Sequence, residues 1–557
     1  VDSTIPACVL RNAERPAARP AFWTRDHGRW VETTWEAYGR HVRRAARSLV
    51  AAGVAPGDAV ALLGRNRPEW TVVCVGAMAA GAVAVGLPPE AAAPEIAAAL
   101  ERTAPAVVLV EDRAQWEKVA TARSRLARPP GIVTMRGTEV PDGDTSSWRA
   151  FLEVGAALPE GAVAERLAAS GPSTPATIVF SAGTTGTPRG TRLTHDNLLW
   201  AAGALRDRLG MSQEDRTLSY LPPSHVFEHL FAVDVPAVSG AGVAFGLSSG
   251  RVPRDLREIQ PTVFFGTPEI WHGLARRARA EWRRRRGLQL RIAARAMEVN
   301  RTVVALRRRG AEPEGLLRLR HSLARRRFTG RARRALGLGE LRVAVAGGGA
   351  LAAEAVAALA GLDVWVHDLY GTTETTGVGT IDGRCPGGEI RLAPDGEILL
   401  RGRGVAAGGL DAPGPGEDGW LRSGDLGVWD EQGRLTVTGR RGDVLVTDGT
   451  PVSLRALEGR LESHDGIARA VIVTDGRGGL GVLVAADPDR ADVTPRHVAS
   501  VVASLNERLP AGARLGRVHV LDRVPSRERG EVTPLGEIRR HVVARHFAAE
   551  IEALLAG

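Results

Sequence analysis

The sequence predicts an α/β protein in two unequal parts: a large layered α/β N-terminal domain over residues 1–438 and a small mobile α+β C-terminal domain over residues 444–557, with a short hinge at 439–443. Three observations predict it. The 557 residues exceed what one compact core organises at about 100–200 residues per domain. Helical patterns alternate with short apolar runs such as "AVALLG", "AVAVGL" and "AVVLVE". The texture changes after "GRLTVTGRRGDVLVTDG", where a Gly-rich, charged joint leads into a shorter segment.

Between Thr34 and Asp112 the amphipathic stretch "WEAYGRHVRRAARSLVAAG" and its successors alternate with apolar runs, as in a sheet of largely parallel strands covered by helices. The same alternation returns at "ATIVFSAG", "TVFFGTPEI" and "LRVAVAGGGAL", which extends the large domain to about residue 438. No fixed-period repeat is present. The C-terminal segment reads as a helix near 454–463, strands near Ala470 and Leu480, and a helix near 498–509.

The 44% hydrophobic content is that of a globular protein. No apolar run reaches the roughly 18–20 residues that span a bilayer, and the opening "VDSTIPACVLRNAERPAARPAFW" lacks the layout of a signal peptide, so the expected location is cytoplasmic. Cys8, Cys74 and Cys385 lack the spacing of a zinc site or disulfide framework. The net charge of +10 is uneven: residues 276–334 hold 21 arginines against four glutamates, leaving the remainder slightly acidic. That segment has apolar residues at helical spacing and few aromatics for base stacking, so it reads as a solvated helical face and not a nucleic-acid site. Such a face still attracts nucleotide phosphates or coenzyme A at long range.

The segment "IVFSAGTTGTPRGTRLTHDNL", Ile178 to Leu198, reads as a buried strand, a loop of Gly, Ser and Thr, and a helix start. Glycines let backbone N–H groups turn toward a polyphosphate, and hydroxyls add donors. Alone, such a loop reads equally well as a surface turn. It is followed by "LPPSHVFEH", "DLREIQPTVFFGTPEIW", "VAGGGAL", "DLYGTTETTG", "GWLRSGDLGVWDEQGRLTVTGRRGD" and "GEVTPLGEIRR". In that order these motifs resemble the adenylate-forming superfamily of acyl-CoA ligases, peptide-synthetase adenylation domains and luciferases, most closely its long-chain acyl-CoA synthetase branch. The resemblance spans nearly the whole chain.

The resemblance implies the adenylate-forming fold and a nucleotide pocket. Ser181, Gly183, Thr184, Thr185 and Gly186 would hold phosphate, with Thr184 near magnesium. Gly347, Gly348 and Gly349 would lie along adenine, with Tyr370 and Gly371 beside it; each has a plain alternative as turn or core. Glu374 would hold magnesium, as a carboxylate suits that hard cation, and Thr373 the α-phosphate. Asp425 would accept the ribose hydroxyls, assisted by Arg440. His225 matches a position near the acyl carbonyl and the arriving thiol, although a lone histidine is more often a packing residue. Gly449 and Thr450 match a loop that shapes the pantetheine tunnel, and Gly442 the hinge. Pocket walls are expected around Phe265 to Ile270 and Thr372 to Gly377.

Members of the superfamily first join a carboxylic acid to ATP, giving acyl-AMP and pyrophosphate, and then let coenzyme A displace AMP. In the first step a C-terminal lysine offsets charge developing at phosphorus, and a fixed donor of this kind contributes on the order of a hundredfold to a thousandfold. Where the long-chain branch reads close to "GELTPTLKIRR", this chain has "GEVTPLGEIRR", placing Glu537 at the lysine position. The chain's one lysine is Lys118, in the N-terminal half. General replacement of Lys by Arg explains Arg189 in "GTPRG" but not Glu537, where a cation has become an anion. Two like charges about 4 Å apart cost about 4 kcal/mol at an effective dielectric of 20. Arg539 or Arg540 is a possible substitute, though a guanidinium is larger and its donors are fixed in a plane. Ala182, where a hydroxyl is usual, and Gly442, where Lys or Asp is usual, are lesser departures.

The expectation is an acyl-CoA ligase family enzyme that uses acyl-adenylate and coenzyme A, with weak or absent adenylation and acyl-adenylate supplied by an adenylating partner ligase. A separated ligase of diterpenoid natural-product pathways, of the platensimycin and platencin type, is its furthest extension. The alternatives are a complete ATP- and Mg2+-dependent carboxylic acid–CoA ligase using an arginine, or an inactive scaffold that binds acyl-AMP.

Overall fold

The computed structural model describes residues 3–15, 19–140, 145–159, 161–181, 189–246, 248–283, 286–447, 450–464, 466–474, 479–487, 494–526, 529–533 and 537–555. The apolar runs become strands because both their faces are covered: Ala59–Leu63, Val83–Leu87 and Val107–Val110 are buried along their whole length. They are the parallel centre of an eight-stranded sheet, which continues through Gly131–Thr134 on one side and Pro175–Phe180 on the other. Helices Trp35–Ala51 and Pro68–Ala79 pack on one face and Ala93–Thr103 on the other, dividing the core in two.

Two features differ from the sequence expectation. The loop after Pro175–Phe180 does not enter a helix directly: the chain first returns as the antiparallel strand Gly190–Thr194, and only then does Thr194 cap the helix His195–Leu209. Thr191 and Leu193 alternate inward in that strand, a two-residue period that outweighs the helical reading of "TRLTHDNL". The large domain is also less uniformly parallel than expected. Glu389–Leu392, Glu397–Arg401, Leu421–Trp429 and Leu435–Arg440 form a wholly antiparallel sheet over a small core of Ile398, Leu400 and Leu435.

In another sheet Val263–Gly266, Val343–Gly347 and Val366–Tyr370 run parallel. Parallel pairing brings the carboxyl ends of its strands to one edge, the usual place for a ligand in an α/β sheet. Gly347 and Tyr370 end two of them.

The small domain has its own core, in which the helix Leu454–Glu462 packs on Ile467–Thr474 and Leu480–Ala486 through Leu457, Leu461, Ile472 and Val482. A second helix, Pro495–Asn506, and a parallel strand, Val518–Leu521, complete it. One 3-10 turn, Arg441–Asp443, joins the domains. Gly442 in that turn is exposed, and a Cβ there would meet nothing within 4 Å. Across the interface Arg276 and Arg279 donate to the carbonyls of Glu462 and Ser463 at 3.1 and 2.9 Å, and Arg469 pairs with Glu269 at 3.2 Å.

The C-terminal arm is fixed by the glutamate that opens its motif. Glu531 is fully buried, and its carboxylate accepts two bonds from Arg523 at 2.6 and 2.8 Å, one from the Ser526 N–H at 2.9 Å, and contacts His546 Nδ1 at 2.8 Å. Gly530 before it has φ +71°, a left-handed conformation that glycine adopts freely. Burial alone would raise the Glu531 carboxyl, but Arg523, His546 and Ser526 outweigh it and hold the carboxyl at about 2. A depressed carboxyl stabilises the fold fully above its unfolded value of about 4.5 and loses that contribution as pH falls toward 2. Glu531→Gln should therefore cost about 2 kcal/mol at pH 7, with the gap to wild type narrowing between pH 4.5 and 2 in thermal unfolding. A gap independent of pH would contradict this role.

Candidate active site

A cavity of about 1770 Å³ opens at the carboxyl ends of the parallel strands and is closed on one side by the small domain. Its floor is shaped by glycine. A Cβ on Gly347 would lie 2.9 Å from the Phe265 ring, and Gly348 and Gly349 turn the chain away with φ +79° and +152°. Gly371 is required by close backbone approach, since a Cβ there would be 2.3 Å from Gly377. Gly348, Gly349 and Gly371 all line the cavity.

On the wall beside them the Tyr370 hydroxyl donates to Asp425 Oδ2 at 2.9 Å, and Arg440 Nε lies 3.4 Å from Oδ1. Asp425 and Arg440 face each other across two antiparallel strands, so the register fixes this pair. Burial raises the Asp425 carboxyl above its ordinary value, with Arg440 and Tyr370 offsetting only part. Burial, and then Asp425, raise the Tyr370 hydroxyl well above 10. With one bond from Tyr370 and one ion pair, the Asp425 carboxylate keeps lone pairs for a vicinal diol. Thr373 and Glu374 form a 3-10 turn at the same wall, and the Glu374 carboxylate is near enough to influence both Asp425 and Arg440.

Of the expected phosphate loop, Ser181 and Arg189 line the cavity, and the Ser181 N–H donates to the Arg189 carbonyl at 2.9 Å, closing the loop's base. Ala182, Gly183, Thr184, Thr185 and Gly186 lie outside the described residues, as does Gly449. Thr450 begins a strand and pairs with Thr447. Among the described residues no group of three or more His, Cys, Asp or Glu forms a metal cluster. Glu374 lines the cavity with one carboxylate, a donor type that suits a magnesium ion completed by water and phosphate.

His225 caps the short helix Val226–His229, and its Nδ1 accepts from the Phe227 N–H at 3.2 Å. That bond leaves the ring proton on Nε2. Burial lowers the ring to about 4, so it is neutral at physiological pH. The His225, Phe227, Phe265 and Phe231 rings stack in series with centroids 4.9 to 5.7 Å apart. His225 and Phe227 line the cavity, which gives it an aromatic wall. Of the segments expected to supply walls, Thr372, Thr373 and Glu374 line the cavity, whereas none of Phe265 to Ile270 does; Phe265 backs Phe227, which like Phe231 was not foreseen.

Glu537 also lines the cavity. Its N–H donates to Thr533 Oγ1 at 3.1 Å and its carbonyl accepts from the Thr533 N–H at 2.7 Å, which holds Glu537 beside Thr533 at the cavity. The carboxylate lies 3.7 Å from Arg455 Nη2 and acts on Asp425 and Arg440. Arg455 comes from the first turn of the helix Leu454–Glu462 and reaches the large domain: a Cβ on Gly349 would be 3.2 Å from its guanidinium. The expected substitute Arg540 is engaged elsewhere, because it binds Asp443, Glu458 and the Ile472 carbonyl. Arg539 does not line the cavity. Lys118 donates to the carbonyls of Pro89 and Ala91 at 2.6 and 2.9 Å, a structural clip.

Sequence reasoning missed Arg455, whose approach to Glu537 depends on the packing of the arm on a helix 82 positions earlier. It also missed Asp368 in "DLYGTTE", a carboxyl exposed to the cavity and pushed up to about 6 by desolvation there and by Asp382. The motif contained the acid, but nothing in it distinguished this one from a surface aspartate.

Known proteins give the same outline. The chain matches the family model described as AMP-binding enzyme over residues 9–397 and that described as AMP-binding enzyme C-terminal domain over residues 444–557. It is 29% identical over 569 aligned positions to the long-chain-fatty-acid–CoA ligase FadD15 of Mycobacterium tuberculosis, covering 95% of this chain and 93% of that one. It is 30% identical over 488 positions to the long-chain-fatty-acid–CoA ligase heimdall of Drosophila melanogaster, covering 80% of this chain and 70% of that one. In fold it is similar to the anthranilate CoA ligase AuaEII in complex with anthranoyl-AMP, with TM-score 0.77, 20% identity, and 99% and 98% of the two chains covered. It is similar also to the A domain of the carboxylic acid reductase from Segniliparus rugosus in complex with AMP and a co-purified carboxylic acid, with TM-score 0.77, 18% identity, and 100% and 94% covered. The chain therefore belongs to the AMP-binding enzyme family and is an acyl-CoA ligase with the adenylate-forming fold.

Proposed function

We propose that this ligase forms acyl-CoA thioesters from acyl-adenylate and coenzyme A, and that its own adenylation of the acid is weak or absent. The observation that carries the reading is the Glu537 carboxylate in the nucleotide cavity, on the arm where a lysine is expected. Adenylation brings a carboxylate and a polyphosphate together, and a third anion at that place opposes it. Thioester formation lacks this difficulty, since acyl-AMP is already activated. The thiol sulfur attacks the acyl carbon, the bond from that carbon to the phosphate oxygen breaks, AMP leaves with the electron pair, and the thiol proton passes to solvent.

The residues assemble for that step. Asp425, held by Tyr370 and Arg440, receives the ribose hydroxyls, and Gly347 to Gly349 lie along adenine. The neutral His225 offers its Nε2–H to the acyl carbonyl oxygen, and the resemblance assigns Gly449 to the thiol path. The aromatic wall takes the acyl group, either a long chain like those named for the relatives or a fused-ring acid of the diterpenoid kind. With ATP, Glu374 and Thr184 would hold magnesium, which screens phosphate charge. A partner ligase that adenylates the acid would supply the acyl-AMP.

A second reading, a complete ATP-dependent ligase, draws support from Arg455, the guanidinium beside Glu537. ATP–pyrophosphate exchange across a panel of long-chain and diterpenoid acids, paired with thioester formation from synthetic acyl-AMP, separates the two. The half-enzyme gives thioester without exchange, and brisk exchange rules it out; silence in both assays indicates a scaffold. Glu537→Lys should raise exchange by at least about tenfold. Arg455 balances Glu537, so Arg455→Gln should weaken AMP binding about tenfold by calorimetry, and adding Glu537→Gln should restore most of it. Simple additivity of the two changes would refute the pairing. Because burial sets His225 near 4, the ring protonates only below that value. The thioester rate should then show no histidine limb between pH 5.5 and 7.5, and a limb near 6.5 that disappears in His225→Gln would contradict the neutral-donor role.

A further inference from the structure

We propose that the helical run from Gly315 to Leu336 docks this protein on an anionic lipid surface. The run is continuous: the helix Gly315–Ala324 passes through a wider turn at Arg325–Thr329 into Gly330–Leu336. Its inner side is conventional, with His321, Ala324 and Thr329 buried. Its outer side is not. Leu316, Leu319 and Leu323 are 61%, 69% and 55% exposed, and at spacings of three and four residues they form one stripe. Single exposed leucines are ordinary, but three in register on one helix are an apolar face without a partner among the described residues.

The charge around the stripe identifies the partner. From Gly315 to Gly339 the sequence has no Asp or Glu. Arg318, Arg320, Arg326, Arg327 and Arg331 are exposed and form no ion pair among the described residues. A nucleic acid would use the arginines but leave the leucines in water, and Phe328 is the only aromatic in the stretch to stack on a base. Another protein would have to be both acidic and apolar on one surface. A bilayer with anionic headgroups satisfies both halves, as leucines enter the acyl boundary and guanidiniums meet lipid phosphates.

The position is apt for an enzyme of amphiphilic acids. Arg308, Arg309 and Gly310, in the connection leading into this helix, line the cavity. The docking helix therefore follows this part of the cavity wall directly in the chain. No described helix is long and apolar enough to cross a membrane, so the contact is peripheral.

The test is co-sedimentation of the full chain with vesicles of equal parts phosphatidylglycerol and phosphatidylcholine, against pure phosphatidylcholine. Binding should require phosphatidylglycerol and weaken with salt. Leu316→Ser/Leu319→Ser/Leu323→Ser should reduce it at least about tenfold, and Arg320→Glu/Arg327→Glu by a similar factor. All five side chains are exposed, and circular dichroism with thermal melting checks that each variant folds. Absence of binding to the anionic vesicles overturns the proposal, and so does a leucine variant that binds like wild type. Retention on duplex DNA that displaces the vesicles regardless of the leucines would assign the arginines to nucleic acid. A dimer dispersed by the leucine variant, without vesicle binding, would assign the face to a second copy.

Discussion

Charge balance at one wall of the cavity is the constraint on which the rest depends. Asp425, Glu374 and Glu537 place three carboxylates there, and Arg440 and Arg455 are the guanidiniums set against them. Burial would disfavour the charge on Arg440, yet Asp425, then Glu537 and Glu374, hold it firmly protonated. Asp425 is the buried member, so removing its partner would leave that charge uncompensated, which costs more than the pair itself contributes. The wall is therefore matched to its own anion at residue 537. A lysine there would meet two guanidiniums already in place, so exchanging this one position recovers part of the adenylating activity and not all of it.

The same wall joins the domains. Arg440 ends the last strand of the large domain and Asp443 ends the joint, while Arg540 ties Asp443 to Glu458 in the small-domain helix and to the strand behind it. Glu531 anchors the arm that carries Glu537, and Arg455 leaves the first turn of the same helix that holds Glu458. Joint, helix and arm thus form one unit, and any rotation of the small domain moves Glu537 and Arg455 together. Arg540, which the sequence offers as a substitute cation, is the residue this unit can least release.

Much of this was legible in the sequence. Fully apolar runs announced the buried parallel strands, and the motifs contain the cavity-lining Gly348, Tyr370, Asp425, His225 and Glu537. In the small domain the helix and strands near 454, 470 and 480 lie where periodicity placed them. What escaped was set by tertiary contact. Gly190–Thr194 is a strand because its neighbour pairs with it, and the aromatic wall joins Phe227 and Phe231 to Phe265 from separate segments. Arg455 meets Glu537 only because the arm folds back on its helix. The basic segment read as a solvated face, and most of its arginines fit that description, but the exposure of Leu316, Leu319 and Leu323 becomes visible only when the inner side of their helix is known.

The central claim is that attack of the acid's own oxygen on phosphorus is weak or absent in this active site. It is tested most directly by incubating the protein with ATP, coenzyme A and a substrate acid labelled with 18O in its carboxylate, then measuring the mass of the AMP formed. Attack on the α-phosphorus carries one labelled oxygen into AMP, whereas thioester formation from supplied acyl-AMP requires no such transfer. The charge arrangement around Glu537 predicts unlabelled AMP at the background level of an enzyme-free control, under conditions where unlabelled acyl-AMP is converted to thioester. Stoichiometric 18O in AMP, formed at a rate comparable to that conversion, would contradict it.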